Sequence, residues 1–155
     1  MLEITLIILV IFIARLWMQR DIVSDTAPNI QAQMLNGKRF DLYETKTRPI
    51  LVHFWATWCP VCKLEQSNIE NIAKDKNVIT IAMQSGDDNE LKKFMNEENL
   101  TFNVINDENG LLSRFYNIKG VPVSFIVNKE NKIDFIEVGY TTEIGLRLRL
   151  WWAGL

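Results

Sequence analysis

Cysteine and histidine are almost missing from this sequence: two cysteines and one histidine stand among 155 residues. A structural zinc site takes four ligands, and these three leave it one short. Excess positive charge is missing too. Lysine and arginine number 17 against 19 acidic residues, the net charge is -2, and no long basic run occurs. The chain therefore lacks the electrostatic footprint of a nucleic-acid binder. Internal repeats and low-complexity stretches are absent as well. With 48% hydrophobic residues, eight Phe and five Trp, nothing in the composition signals disorder, and the length suits one compact domain with a short appendage.

The scarce residues are not scattered. His53, Cys59 and Cys62 all fall in "HFWATWCPVC", residues 53 to 62. Upstream, "IQAQMLNGKRFDLYE" places Asn36-Gly37 between alternating segments, a hairpin signal. "PILVHFWA", residues 49–56, is a nearly continuous apolar run and predicts a buried central strand. Helical spacing follows from Cys59 to about Lys74, with Ile69, Ile72 and Ala73 on one side. "NVITIAM" predicts a second buried strand, and Asp87-x-x-Glu90 a capping box opening a helix through Met95. Beyond these come a short strand in "TFNVIN", a short helix in "NGLLSRFYN" and a hairpin in "VPVSFIVNKENKIDFIEVG" turning near Asn128–Asn131. The last stretch alternates from Leu146 to Leu150, yet Ile144, Leu148, Trp151 and Leu155 share one helical face; it is assigned as helix with Thr141 as its cap. The sum is an α/β domain whose mixed sheet is covered by helices on both faces.

Leu2 to Met18, "LEITLIILVIFIARLWM", is apolar apart from Glu3, Thr5 and Arg15, and as a helix reaches about 25 Å. That is marginal for a crossing, although Arg15 snorkels and Trp17 suits an interface. The best candidate for signal cleavage ends at Ala27 and runs at once into Pro28, so a retained anchor is favoured over a cleaved signal or a core helix. Arg15 and Arg20 follow the run and no Lys or Arg precedes it. Read literally, the positive-inside rule leaves the domain in the cytoplasm, against the exported reading adopted below.

Cys59 and Cys62 sit where the buried strand gives way to the helix. A thiol in a first helical turn lies near unpaired N–H groups and the positive end of the dipole, and Cys-x-x-Cys settings lower its pKa from about 8.5 to about 3.5–7.5. Three-residue spacing brings the pair within disulfide range, so the second thiol resolves what the first forms. Pro60 fits a first turn, which needs no N–H there. Redox chemistry leads. A purely structural bridge over so short a loop constrains little of the unfolded chain, and Cu(I) binding by two thiolates stays open.

"LVHFWATWCPVC" resembles the active-site strand and helix start of thioredoxin-like proteins, and the resemblance runs from about Ala27 to Leu155. "APNIQAQMLNGKRFDL" and "WATWC" look like the membrane-tethered TlpA/ResA/DsbE group. "SGDDNELKKF", "FNVINDENGLLSRFYNIKGVPVSFIV" and "LRLRLWWA" are similar to the protein disulfide oxidoreductases that include the suppressor-of-copper-sensitivity D protein (ScsD). The resemblance implies a thioredoxin fold over residues 29–155, an anchor over 1–18 and a linker over 19–28. It implies a single-pass inner-membrane protein with its active site in the periplasm.

Carried over by resemblance, Cys59 is the exposed nucleophile and Cys62 the buried resolving thiol, together a redox-active disulfide. Pro122 matches the family's cis-proline, with Val121 before it; Trp58, Pro60 and Val121 are assigned to substrate contact. Glu65 matches the active-site glutamate of ResA-like reductases, although the proline that usually follows two residues later is Ser67 here. His53 occupies the place of a buried acid in thioredoxins, a candidate proton acceptor beneath Cys62. The implied activity is thiol:disulfide exchange on protein substrates, fed by a membrane electron donor of the DsbD/CcdA/ScsB type. Cytochrome c maturation or copper tolerance is the implied setting, with no cofactor and no resident metal. The reductase direction is favoured, although Cys-Pro-Val-Cys looks partly like the oxidant DsbA. A copper-binding or copper-delivery protein using the same two cysteines is the alternative.

Overall fold

A continuous apolar run buried on both sides belongs in the middle of a sheet, and that is where "ILVHFW" lies. The computed structural model describes residues 22–155 apart from residue 24, together with residues 6, 7, 9, 10 and 13. The anchor expected over residues 2–18 thus lies mostly outside the described residues. Among those described, no helix is long and apolar enough to cross a membrane.

A hairpin of β1 (Gln31–Gln33) and β2 (Arg39–Asp41) opens the domain, turning at Gly37, whose φ of 83° suits a residue without a Cβ. There follow β3 (Ile50–Trp55), α1 (Pro60–Ala73), β4 (Asn77–Met83), α2 (Asp88–Glu97) and β5 (Val104–Asp107). The chain ends in α3 (Leu111–Phe115), β6 (Val123–Val127), β7 (Ile133–Val138) and α4 (Glu143–Ala153). The main sheet has the order β5-β4-β3-β6-β7, with β3, β4 and β5 parallel and β6 and β7 antiparallel to their neighbours. All six residues of β3 are buried, as its central place requires. The expected capping box is formed: Asp87 Oδ1 accepts from the Glu90 N–H at 2.9 Å and Glu90 Oε2 from the Asp87 N–H at 2.9 Å.

Alternation splits the core in two. Val52, Phe54, Ile79, Ile81 and Phe125 face the side covered by the hairpin and α3, where they meet Ile30, Leu42 and Tyr116. Leu51, Trp55 and Ile126 face the other side, under Ile69 and Ile72 of α1, Leu91 of α2, and Leu146 and Leu150 of α4. Tyr116 is fully buried between Phe54 and Phe125, and its hydroxyl donates to the Pro28 carbonyl at 2.6 Å. Tyr116→Phe keeps the ring and strands that carbonyl, so the urea midpoint should fall by the equivalent of about 1–2 kcal/mol. An unchanged midpoint would show that the bond contributes nothing.

Three details refine the expectation. Packing starts ahead of Asn29, inside the stretch read as linker: Ala27 is fully buried, Ile22 nearly so, and Thr26 bridges to Lys132. The cap of α4 is Thr142, whose Oγ1 accepts the Gly145 N–H at 3.2 Å, while Thr141 is committed elsewhere, its N–H donating to Glu65 Oε1 at 3.2 Å. Finally, α4 turns its Leu146–Leu150 side inward. The stripe of Ile144, Leu148, Trp151 and Leu155 faces outward, because Leu146 and Leu150 are the residues that reach the sheet beside α1.

Candidate active site

The chain leaves β3 at Trp55, turns, and enters α1 with Cys59 as its N-cap and Pro60 in the first turn. A proline there removes a donor that the helix leaves unpaired anyway. The Cys62 N–H donates to Cys59 Sγ at 3.1 Å, so the sulfur takes the place a serine or aspartate oxygen fills in ordinary caps. Cys59 and Cys62 form a disulfide, with Cα atoms 5.3 Å apart. Both are buried, Cys59 4% and Cys62 1% exposed, so the expected exposed nucleophile is only marginally the more open of the two. In the oxidised pair each sulfur shields the other, and access depends on the rim.

That rim gathers the residues assigned to substrate contact. Trp58 is 57% exposed and its indole N–H donates to the Gln84 carbonyl at 3.1 Å. Pro60 and Val61 are exposed beside it. On the opposite side the Val121 carbonyl oxygen lies 3.5 Å from Cys59 Sγ, and the Val121–Pro122 peptide bond is cis. A groove of about 470 Å³ runs away from Trp58 between the Gln84–Gly86 loop and Lys93 and Phe94 of α2. The Thr57 N–H donates to Ser85 Oγ at 3.0 Å, tying that loop to the helix entry.

Below the pair, polar residues cross the apolar sheet in one row. Register sets Thr80 opposite His53, His53 opposite Ser124, and Ser124 opposite Glu137, and all four are buried. His53 shares its strand face with Leu51 and Trp55, the cysteine side of the sheet. Its Nδ1 is 2.8 Å from Ser124 Oγ. Burial pushes its pKa down to about 3, so the imidazole is neutral at ordinary pH. Glu137 ends the row, its Oε1 2.7 Å from Arg149 Nε.

Glu65 follows Cys62 by one helical turn on the inward side of α1 and is fully buried. Oε1 accepts the Thr141 N–H, while Oε2 is buried with no hydrogen-bond partner. Burial raises its pKa to about 7; the Thr141 bond opposes this and the Glu137 charge adds to it. A carboxyl group that titrates near neutrality beside a dithiol is chemically equipped to take up or release a proton. Ser124, Glu137, Arg149 and the Gln84–Gly86 loop join the site without having been singled out from the sequence. The available signal was one polar residue in the midst of each apolar strand: Thr80 in "NVITIAM", His53 in "PILVHFWA" and Ser124 in "VPVSFIV". Among the described residues no three His, Cys, Asp or Glu side chains cluster as a metal site.

A Cys-x-x-Cys disulfide capping the helix that follows the central strand, with a cis X-Pro bond against it and an exposed rim, defines the class: a thioredoxin-fold thiol-disulfide oxidoreductase, acting on proteins with thiols or disulfides. The model of the Redoxin family matches residues 22–145, and the chain belongs to that family. A thioredoxin-like protein of Haemophilus influenzae is 28% identical over 139 residues, 88% of this chain and 83% of the relative. The thiol-disulfide oxidoreductase ResA of Bacillus subtilis is 30% identical over 121 residues, 76% of this chain and 68% of its own. The crystal structure of StoA from Bacillus subtilis superposes with a TM-score of 0.67 at 25% identity, covering 78% of this chain and 95% of that one.

Proposed function

We propose that the chain is a membrane-anchored reductase in which Cys59 attacks and Cys62 resolves. The observation that carries the roles of the two cysteines is the cap itself: the first-turn N–H of Cys62 points at Cys59 Sγ, and the same N–H stabilises a thiolate there once the bridge opens. In the reduced enzyme the Cys59 thiolate attacks one sulfur of a substrate disulfide, forming a mixed disulfide and expelling the other sulfur as thiolate. The Cys62 thiolate then attacks Cys59 Sγ, the intramolecular bridge closes, and the second substrate sulfur leaves. Two electrons pass from the pair to the substrate, and the protons given up by Cys59 and Cys62 end on the substrate thiols. Val121 and Pro122 form one wall for an extended substrate segment, and Trp58 and Pro60 the other. Glu65 holds and returns the Cys62 proton; His53, kept neutral by burial and hydrogen-bonded to Ser124, takes up no proton at ordinary pH and so leaves that task to Glu65.

The groups beneath the pair support the reductase direction. A neutral imidazole and a buried carboxyl group add no positive charge to hold a thiolate, which favours a potential toward the reducing end of the range of about -270 to -120 mV. The cellular reading rests on the apolar run over residues 2–18: an inner-membrane anchor, a linker to residue 28, and a periplasmic domain over 29–155 reduced by a DsbD-, CcdA- or ScsB-type donor. The ScsD-like subgroup, with apocytochrome c or a copper protein as substrate, extends the same reading from the sequence strings of α2 and α4.

Equilibration with glutathione tests direction, since about 30 mV shifts the balance tenfold for two electrons. A potential near the thioredoxin end is expected; one near about -120 mV, where DsbA lies, would make the protein an oxidant. Insulin reduction run beside Cu(I) competition tests class. Turnover with weak copper binding is expected, and tight copper binding without turnover would reverse the order.

A further inference from the structure

The outward stripe on α4 ends in an apolar pole. Trp151, Trp152 and Leu155 are 61%, 65% and 82% exposed, and Leu148 one turn earlier is 60% exposed. Two shallow grooves meet there at Leu155. One, of about 440 Å³, runs along Trp151 beside Pro49 and Lys76, at the starts of β3 and β4. The other, of about 380 Å³, runs along Trp152 beside Asn128 and Lys129, where β6 ends.

The chain enters the domain at this same pole. The Ala27 N–H donates to the Asn131 carbonyl at 2.8 Å, the Ile133 N–H donates to the Asp25 carbonyl at 2.8 Å, and Thr26 bridges to Lys132. These three residues are therefore fixed to the β6–β7 turn that borders the Trp152 groove. Between Met18, where the apolar run ends, and Asp25 lie six residues, which span at most about 20 Å when fully extended. A domain tied by so short a lead to a membrane-embedded segment is held with this pole toward the bilayer. The disulfide sits at the other end of β3, five strand residues or about 17 Å further up.

We propose that Trp151, Trp152 and Leu155 rest in the headgroup region of the membrane that residues 2–18 enter, which turns Cys59 away from the lipid. This rests on the anchor reading given above. Indole rings suit that layer because their faces are apolar and their N–H groups find partners there. Exposed Lys46, Lys76 and Lys129 ring the pole but are interspersed with Glu44, Asp75 and Asp134, so the contact is chiefly apolar and tolerant of salt. Because the tether and the tryptophans touch the same surface, the domain has two attachment points and a defined tilt in place of free rotation about a single linker.

The test uses the full chain in vesicles of phosphatidylethanolamine and phosphatidylglycerol, with and without acyl-chain bromination. Trp17→Phe removes the indole of the anchor and leaves four, of which two belong to the pole. Brominated lipid should quench the emission contributed by that pair. Adding Trp151→Phe and Trp152→Phe should abolish the quenching while insulin reduction in solution stays unchanged, a check on folding. Flotation with the vesicles but no quenching would overturn the proposal and leave the anchor intact. Failure to float would overturn both.

Discussion

Cys62→Ser should convert the enzyme from a catalyst into a trap. Substrate protein should accumulate as a mixed disulfide on Cys59, visible as a mass increase lost on reduction, and multiple-turnover insulin reduction should fall by at least about a thousandfold. The magnitude follows from what Cys62 supplies. Held by the same helical turn, it meets the Cys59 sulfur at an effective concentration of about 10⁵ M or more, whereas thiols in solution are millimolar. They must also approach past Trp58 and Val121 to a sulfur that is only 4% exposed in the oxidised pair. Cys59→Ser provides the opposite control: no trap and no turnover, because Cys62 is 1% exposed and lies below the rim. An adduct on Cys62 in that variant, or turnover retained by Cys62→Ser, would exchange or dissolve the assigned roles.

The parts of the site that local chemistry specifies were legible in the chain. β3 followed from a nearly continuous apolar run, α1 from the helical spacing after Cys59 with Pro60 suited to its first turn, and α2 from the Asp87–Glu90 capping box. What pairing between distant strands decides was not. Whether His53 faces the cysteines depends on the register that sets it opposite Thr80 and Ser124, and Ser124 is 71 residues away. The polar row reaches Glu137 and Arg149 only through the β6–β7 pairing and the docking of α4. The helix assigned to the last stretch is present as α4, but which of its faces is buried was left open by the sequence, and the docking selects Leu146 and Leu150. A four-residue stripe at helical spacing states that a face is apolar; it does not state that anything covers it. Threonines 141 and 142 are equally able to cap, and only the demand of Glu65 for the Thr141 N–H separates them.

His53 and Glu65 should give the oxidised protein two opposed pH dependences that single substitutions unmask. In the oxidised state neither cysteine titrates, so the stability profile reports the groups beneath the pair. His53 has its pKa lowered from 6.5 to about 3 by burial. The unfolded chain therefore binds a proton that the folded one refuses, and stability present above pH 6.5 is lost as pH falls toward 3, by up to about 5 kcal/mol at about 1.4 kcal/mol per unit. Glu65 has its pKa raised from 4.5 to about 7, first by burial. Its contribution runs the other way: full below pH 4.5, it is lost as pH rises to 7, by about 3 kcal/mol. Between pH 4.5 and 6.5 the slopes cancel, and the wild type should show a flat maximum there. His53→Asn should abolish the acid-side loss and leave stability falling steadily from pH 4.5 to 7. Glu65→Gln should abolish the fall toward neutrality and keep the acid-side loss. The Asp75 and Glu143 carboxylates, lowered chiefly by their hydrogen bonds to Arg147, lose their contribution only in acid and do so equally in every variant. Urea midpoints collected from pH 3 to pH 8 check the pattern. Parallel curves for all three proteins would mean that neither group changes its proton affinity on folding, and with that result the proton-handling role assigned to Glu65 and the burial-enforced neutrality assigned to His53 would fall.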